Sequence, residues 1–91
     1  MAQSARKVRV SGRVQGVFFR AWTKEQADAL GIAGWVRNCA DGSVEALVAG
    51  EPDVVGAMVE RMRRGPPAAE VKQLTDEPSG ESPGEGFAIR Y

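Results

Sequence analysis

Hydrophobic and polar residues alternate along the first regular stretch of the chain, Arg6–Val14. Val8, Val10 and Val14 fall on one side of this stretch, and basic or hydroxyl residues occupy most of the other side. This alternation is typical of a half-buried β-strand. Further strands are predicted at Ile32–Asn38, Val44–Ala49, Ala69–Leu74 and Phe87–Tyr91.

Two segments show helical spacing instead. Ala21–Leu30 has its small and apolar residues at helical intervals, and Gly31 is a typical C-terminal stop. A second helix is predicted to begin within residues 50–53, where proline and acids suit a first turn, and to end at Gly65-Pro66-Pro67. Its core-facing stripe consists of Val55, Met58, Val59 and Met62.

The order of these elements predicts the fold class. Asp41-Gly42 indicates a hairpin between the second and third strands, and Pro78–Gly86 is a loop before the short terminal strand. The order β-α-β-β-α-β is that of the ferredoxin-like α/β sandwich, an α+β fold with an antiparallel sheet and both helices on one face. We expect residues 1–91 to form a single domain. This fold hosts many functions and does not by itself indicate one.

Composition narrows the possible chemistry. The chain has no histidine, so it lacks the commonest general base and the commonest metal ligand. Its single cysteine, Cys39, cannot form an intramolecular disulfide, and no 18-residue apolar run or charged-then-apolar leader is present. We therefore expect a cytoplasmic protein that does not interact with a membrane.

Charge is balanced overall but unevenly distributed. The 12 basic and 12 acidic residues cancel, yet six basic residues precede the first acid, Glu25, and residues 76–85 carry only acids. This distribution indicates either a local positive field at an anion site or an ordinary solvated strand face next to an acidic loop. Charge alone does not decide between them.

The stretch from Gly12 to Arg20 joins a predicted strand to a predicted helix through a glycine-bearing turn. Backbone N–H groups in such a turn can converge on an anion at the positive end of the helix, and Gly16 permits close approach. Arg20 would add a planar set of donors suited to phosphate. The alternative is a tight turn followed by a solvated arginine.

A second informative stretch, Gly34-Trp35-Val36-Arg37-Asn38, ends a predicted strand just before a turn. By itself Asn38 is more typical of a turn-forming residue. Trp22 and Trp35 are interpreted as packing residues.

These two stretches together resemble the acylphosphatase family, with its signatures Gly-x-Val-Gln-Gly-Val-x-Phe-Arg and Gly-Trp-Val-x-Asn, and the resemblance covers essentially the whole chain. It implies that Arg20 binds phosphate and that Asn38 orients the attacking water. It also implies that the phosphate-binding loop consists of Gln15, Gly16, Val17, Phe18 and Phe19, together with Arg20. Phe18 stands where a smaller residue, often glycine, is common.

The implied activity is hydrolysis of small acyl phosphates to a carboxylate and inorganic phosphate (EC 3.6.1.7), by direct attack of water and without a metal or cofactor. We expect a monomer that binds no nucleic acid. A phosphocysteine mechanism at Cys39 is not favoured, because the Cys-x5-Arg loop of cysteine phosphatases is absent.

Three alternatives remain. An RNA-recognition module would need aromatic residues on the first and third strands, which contain none. A regulatory small-ligand domain is compatible with the same fold. A domain cut from a larger carbamoyl-transfer protein is the nearest alternative, although the Arg90-Tyr91 ending favours a freestanding protein.

Overall fold

The computed structural model describes residues 3–91, which form five strands and two helices. In chain order these are β1 (Ser4–Arg13), α1 (Phe19–Leu30), β2 (Ala33–Asn38), β3 (Val44–Gly50), α2 (Pro52–Arg64), β4 (Glu70–Pro78) and β5 (Phe87–Arg90). The order confirms the ferredoxin-like α+β prediction. None of the helices in this part of the chain is long and apolar enough to cross a membrane.

The strands form one sheet in the order β4-β1-β3-β2-β5. β1 to β4 pair in antiparallel fashion, as predicted, but β5 runs parallel to β2, so the sheet is mixed. The cause is the path of the chain, because the segment after β4 crosses the end of the sheet at which β2 begins. β5 therefore enters beside β2 in the same direction.

The core lies between the sheet and the two helices. Its strand residues include Val8, Val10 and Val48, and the predicted stripe of α2 is buried in full. On the opposite face, Trp35 is only 4% exposed, and its indole Nε1 donates a hydrogen bond to Glu81 at 2.8 Å. The acidic segment after β4 therefore partly covers the outer face of the sheet, and Trp35 is a packing residue as predicted.

Three boundaries differ from prediction by two residues or more. α1 begins at Phe19 rather than Ala21, because Phe19 is a core residue that starts the helix. β1 begins at Ser4, earlier than predicted. β4 extends past Leu74 to Pro78, where its mostly exposed residues pair with β1 and lack the alternation that marks a half-buried strand.

Candidate functional site

The predicted site residues come from separate parts of the chain, and the sheet topology brings them to one end. β1 and β3 are antiparallel, so the end of β1 lies beside the start of β3 and hence beside the end of β2. β5 runs parallel to β2 and ends there as well. The loop after β1, Asn38, the N-terminus of α1 and Tyr91 therefore share this end of the molecule.

The loop at residues 14–18 has the backbone conformation of a tight turn leading into a helix. Gly16 has a φ of +75°, a value that favours glycine, and Phe18, at the N-cap of α1, has a φ of +61°. Within residues 3–91, no protein acceptor is recorded for the backbone N–H groups of residues 16–21, and the first turn of α1 contains no acid. Unpaired N–H groups at the positive end of a helix form a site suited to an anion.

Arg20 lies in the first turn of α1 and is partly exposed. Its guanidinium stacks on the Tyr91 ring at 4.8 Å and its Nη1 donates a long hydrogen bond of 3.5 Å to the Arg90 carbonyl oxygen. These contacts orient the side chain without neutralising its charge. The terminal residues were not among the predicted site residues, because periodicity does not show that β5 would pair with β2.

Asn38 is the last residue of β2 and is half-buried. The turn that follows it is held by other groups, since Asp41 Oδ1 accepts hydrogen bonds from the Ser43 backbone and hydroxyl at 3.0 and 2.6 Å. Gly42, with a φ of +93°, completes the turn, which confirms the predicted hairpin. The side chain of Asn38 is therefore not what builds this turn.

Gln15 connects the two halves of the site. Its amide Nε2 donates hydrogen bonds to the carbonyl oxygens of Cys39 and Ser43, at 2.8 and 2.9 Å. These bonds fasten the loop after β1 to the turn that follows Asn38. Sequence reasoning placed Gln15 in the phosphate-binding loop but missed this positioning contact, which depends on a pairing between residues distant in the chain.

The remaining loop residues differ in where their side chains lie. Phe19 is 1% exposed and belongs to the core, and Val17 packs against the core. Phe19 therefore offers a ligand only its backbone, whereas the side chain of Val17 is partly buried. Phe18, in contrast, is 84% exposed.

The positive field expected near the N-terminal strand is confined to a smaller region than the sequence indicated. Most basic side chains before residue 25 form ion pairs with acids: Arg6–Asp76, Lys7–Glu81, Arg9–Asp41, Arg9–Glu45 and Lys24–Asp28. Within residues 3–91, Arg13 and Arg20 are the members of this group for which no ion pair is recorded. Arg6 and Lys7 thus pair with the acidic segment, Arg9 with acids at and after the β2–β3 turn, and Lys24 with an acid of its own helix, which leaves Arg13 and Arg20.

Glu45 is the most buried acidic residue among these pairs, since only 10% of its side chain is exposed. Burial raises the pKa of Glu45, but hydrogen bonds and charge from Arg37 and Arg9 outweigh this effect and hold the pKa below its usual value. Glu45 is therefore ionised and committed to the two arginines. It lies on the outer face of the sheet and is not placed to act on a ligand at the loop.

In the part of the chain that the structure describes, no three His, Cys, Asp or Glu side chains are grouped to hold a metal ion. Cys39 is a half-buried free thiol, and the contact recorded with Gln15 is made by its backbone oxygen. The donors that the described residues offer to a ligand at the loop therefore include backbone N–H groups, the Arg20 guanidinium and the Asn38 amide.

Comparisons with known proteins agree on one family. A family model described as Acylphosphatase matches residues 6–89. A relative from Rhizobium etli named acylphosphatase is 58% identical over 71 residues, which are 78% of this chain and 76% of the relative. The structure of an acylphosphatase from Coxiella burnetii is 36% identical with a TM-score of 0.92, covering 97% of this chain and 93% of that one. The acylphosphatase from Bacillus subtilis is 35% identical with a TM-score of 0.91, covering 99% and 100%.

Proposed function

The chain belongs to the acylphosphatase family, and from that membership we propose how its residues carry out the reaction. The protein is an enzyme with acylphosphatase activity (EC 3.6.1.7), which hydrolyses an acyl phosphate to a carboxylate and inorganic phosphate. The proposal assigns phosphate binding to the loop and Arg20, and water positioning to Asn38. It is supported by the arrangement of these groups at one end of the sheet.

Phosphate binding is proposed to use the N–H groups of the loop 15–19 together with the guanidinium of Arg20. The N–H groups at the start of α1 have no protein acceptor in the described residues, and the helix dipole favours an anion there. Arg20 supplies the planar donor geometry that phosphate oxygens accept. This combination, within residues 3–91, of N–H groups without a protein acceptor and an arginine without an acidic partner is the observation that carries the proposal.

These donors are chemically sufficient for an acyl phosphate. The departing carboxylate is a good leaving group, because a carboxylic acid has a pKa of about 4, and it needs little help from a general acid. Phosphoryl transfer generally passes through a loose transition state with charge on the equatorial oxygens. Donors aimed at such charge are worth about 3–4 kcal/mol each, by analogy with an oxyanion hole. We therefore propose that the reaction proceeds without a metal or cofactor.

Asn38 is proposed to orient the attacking water. In a loose transition state the water has lost little of its proton, so an amide with one acceptor and two donors can position it without acting as a base. The proposal is supported by the place of Asn38 at the end of β2, tied through the Cys39 carbonyl to Gln15 of the loop.

Two substitutions separate these roles, with benzoyl phosphate as substrate and inorganic phosphate as competitive inhibitor. Arg20→Ala should weaken phosphate binding as well as turnover, because the phosphoryl group is present in both the ground state and the transition state. Asn38→Ala should lower kcat by about 10²-fold with little change in the inhibition constant of phosphate. If Arg20→Ala binds phosphate normally, or Asn38→Ala keeps full turnover, the assignment is wrong.

Matched controls exist for both variants. Arg13→Ala removes the other arginine before residue 25 that forms no ion pair within residues 3–91, and should change kcat/KM by no more than about threefold, the effect of a screened charge. Cys39→Ser alters the neighbour of Asn38 and should retain turnover if water attacks phosphorus directly. Full activity in excess EDTA is expected, and a loss restored by a divalent ion would overturn the metal-independent mechanism.

We also propose that the enzyme acts as a monomeric single domain over residues 1–91 and binds no nucleic acid. The Bacillus subtilis structure is covered over its full length by this chain. In residues 3–91, exposed large hydrophobic side chains are limited to Phe18 and Tyr91, which is little for a stable subunit interface. The outer face of the sheet buries Trp35 rather than presenting it to bases. A sedimentation measurement that gives a dimer would refute the proposed monomeric state.

A further inference from the structure

The exposed large hydrophobic side chains of residues 3–91 are not scattered over the surface. They are Phe18, which is 84% exposed, and Tyr91, which is 99% exposed. Phe18 is the N-cap of α1, two residues before Arg20, and Tyr91 stacks on the guanidinium of Arg20 at 4.8 Å. The proposed phosphate site is therefore bordered by aromatic surface.

Phe18 occupies its position at an energetic cost. Its φ of +61° and ψ of +25° place it in the left-handed region, and it is the one residue other than glycine with positive φ in the described part of the chain. For a residue with a bulky side chain this conformation is unfavourable relative to glycine. No side-chain cap hydrogen bond to α1 offsets the cost, and the ring is too exposed to contribute to the core. The fold therefore gives no reason for a phenyl group at this position.

We infer that Phe18 is a specificity-determining residue that contacts the acyl group of the substrate and favours apolar, above all aromatic, acyl phosphates over small polar ones. The inference rests on the proposed function of the loop. A phosphoryl group bound by the N–H groups of the turn would leave the acyl group facing solvent, and the exposed ring of Phe18 belongs to the same turn. Contact between two apolar surfaces there removes both from water.

The test compares benzoyl phosphate with acetyl phosphate. Both carry the same phosphoryl group and release a carboxylate of similar basicity, so they differ mainly in the acyl group. Phe18→Gly and Phe18→Asn remove the ring and suit positive φ, whereas Phe18→Tyr keeps a ring of the same shape. The measured quantity is the ratio of kcat/KM for benzoyl phosphate to that for acetyl phosphate. Any disturbance of the loop acts on the shared phosphoryl group and cancels in this ratio.

The ratio should fall about three- to tenfold in Phe18→Gly and Phe18→Asn, the range expected for loss of an aromatic pair contact. Phe18→Tyr should keep the wild-type ratio. An unchanged ratio in the glycine and asparagine variants, with both substrates still hydrolysed, would overturn the inference and leave the proposed function intact. A wild-type protein that hydrolyses neither substrate would instead refute the proposed function.

Discussion

Replacing Gln15 with glutamate exchanges an NH₂ group for an oxygen at the contact that joins the two halves of the site. In the wild-type structure Gln15 Nε2 lies 2.8 Å from the Cys39 carbonyl oxygen and 2.9 Å from that of Ser43. A carboxylate in the same place would face two acceptors and have no proton to donate. The exchange leaves the shape of the side chain nearly unchanged but adds a negative charge, so the comparison with Gln15→Ala separates the lost hydrogen bonds from the added charge.

The expected magnitude follows from those two bonds. Each is worth about 0.5–1.5 kcal/mol net, so Gln15→Ala should lower the free energy of unfolding by about 1–3 kcal/mol. Gln15→Glu should cost more, about 2–4 kcal/mol, because a charged acceptor also faces two carbonyl oxygens. The loss of alignment between the loop and Asn38 should lower kcat by about 10- to 100-fold in both variants.

Urea unfolding and benzoyl phosphate hydrolysis measure the two effects, with Gln73→Glu on the exposed surface of β4 as the matched control. The two carbonyl oxygens disfavour the charged form of the introduced carboxyl and so raise its folded-state pKa. The extra loss in free energy of unfolding of Gln15→Glu relative to Gln15→Ala should therefore be largest at pH 7 and should shrink as pH falls through that raised pKa. If Gln15→Glu matches the wild type in urea midpoint and in kcat, the contact does not hold the site together.

Three further predictions concern other positions. Gly34→Ala should destabilise the protein by about 3 kcal/mol or more in urea, because an added Cβ would lie 1.8 Å from the Leu47 carbonyl oxygen at a φ of +144°; a variant of wild-type stability would contradict the β2–β3 pairing. Glu45→Gln should cost about 1–3 kcal/mol at neutral pH. The pKa of Glu45 is lower in the folded than in the unfolded protein, so its ionised side chain stabilises the fold above the unfolded pKa of about 4.3. This stabilisation is lost as pH falls through the folded-state pKa. The urea midpoints of Glu45→Gln and the wild type should therefore converge in acid. Phe18→Gly should leave the free energy of unfolding unchanged or raise it by up to about 1 kcal/mol, because glycine has no Cβ to strain the positive φ at this position. A clear loss of stability in thermal unfolding would show instead that the Phe18 ring packs against the protein.

Local patterns were enough to predict most of the fold. The stripe of α2 and the end of α1 at Gly31 depend on neighbours in sequence, and both are confirmed. The end of β4 was missed because its last residues are polar and exposed, and they form a strand only by pairing with β1. The parallel pairing of β5 was missed for a related reason, since strand direction depends on the path of the preceding segment.

The candidate site, like the fold, was predictable from local sequence only in part. Arg20 in a first helical turn and a glycine-bearing loop before it follow from local sequence. The bridge from Gln15 to the turn after Asn38, and the stacking of Arg20 on Tyr91, join residues far apart in the chain. No local periodicity encodes such contacts. The roles of Arg20 and Asn38 remain predictions that the variants above are designed to test.

The parallel strand β5 has a consequence for when activity appears during folding. It comes last in the chain, yet it pairs with β2, and its last residue and Tyr91 after it contact Arg20. The loop of the site follows β1, which pairs with β4 near the other end of the chain. Pairings between distant segments pay the entropy of closing large loops before they are stabilised, so they tend to form slowly. The site is complete only when the terminal strand has paired, so we expect phosphate release after dilution from urea to return with the pairing of β2 and β5 rather than with the first collapse.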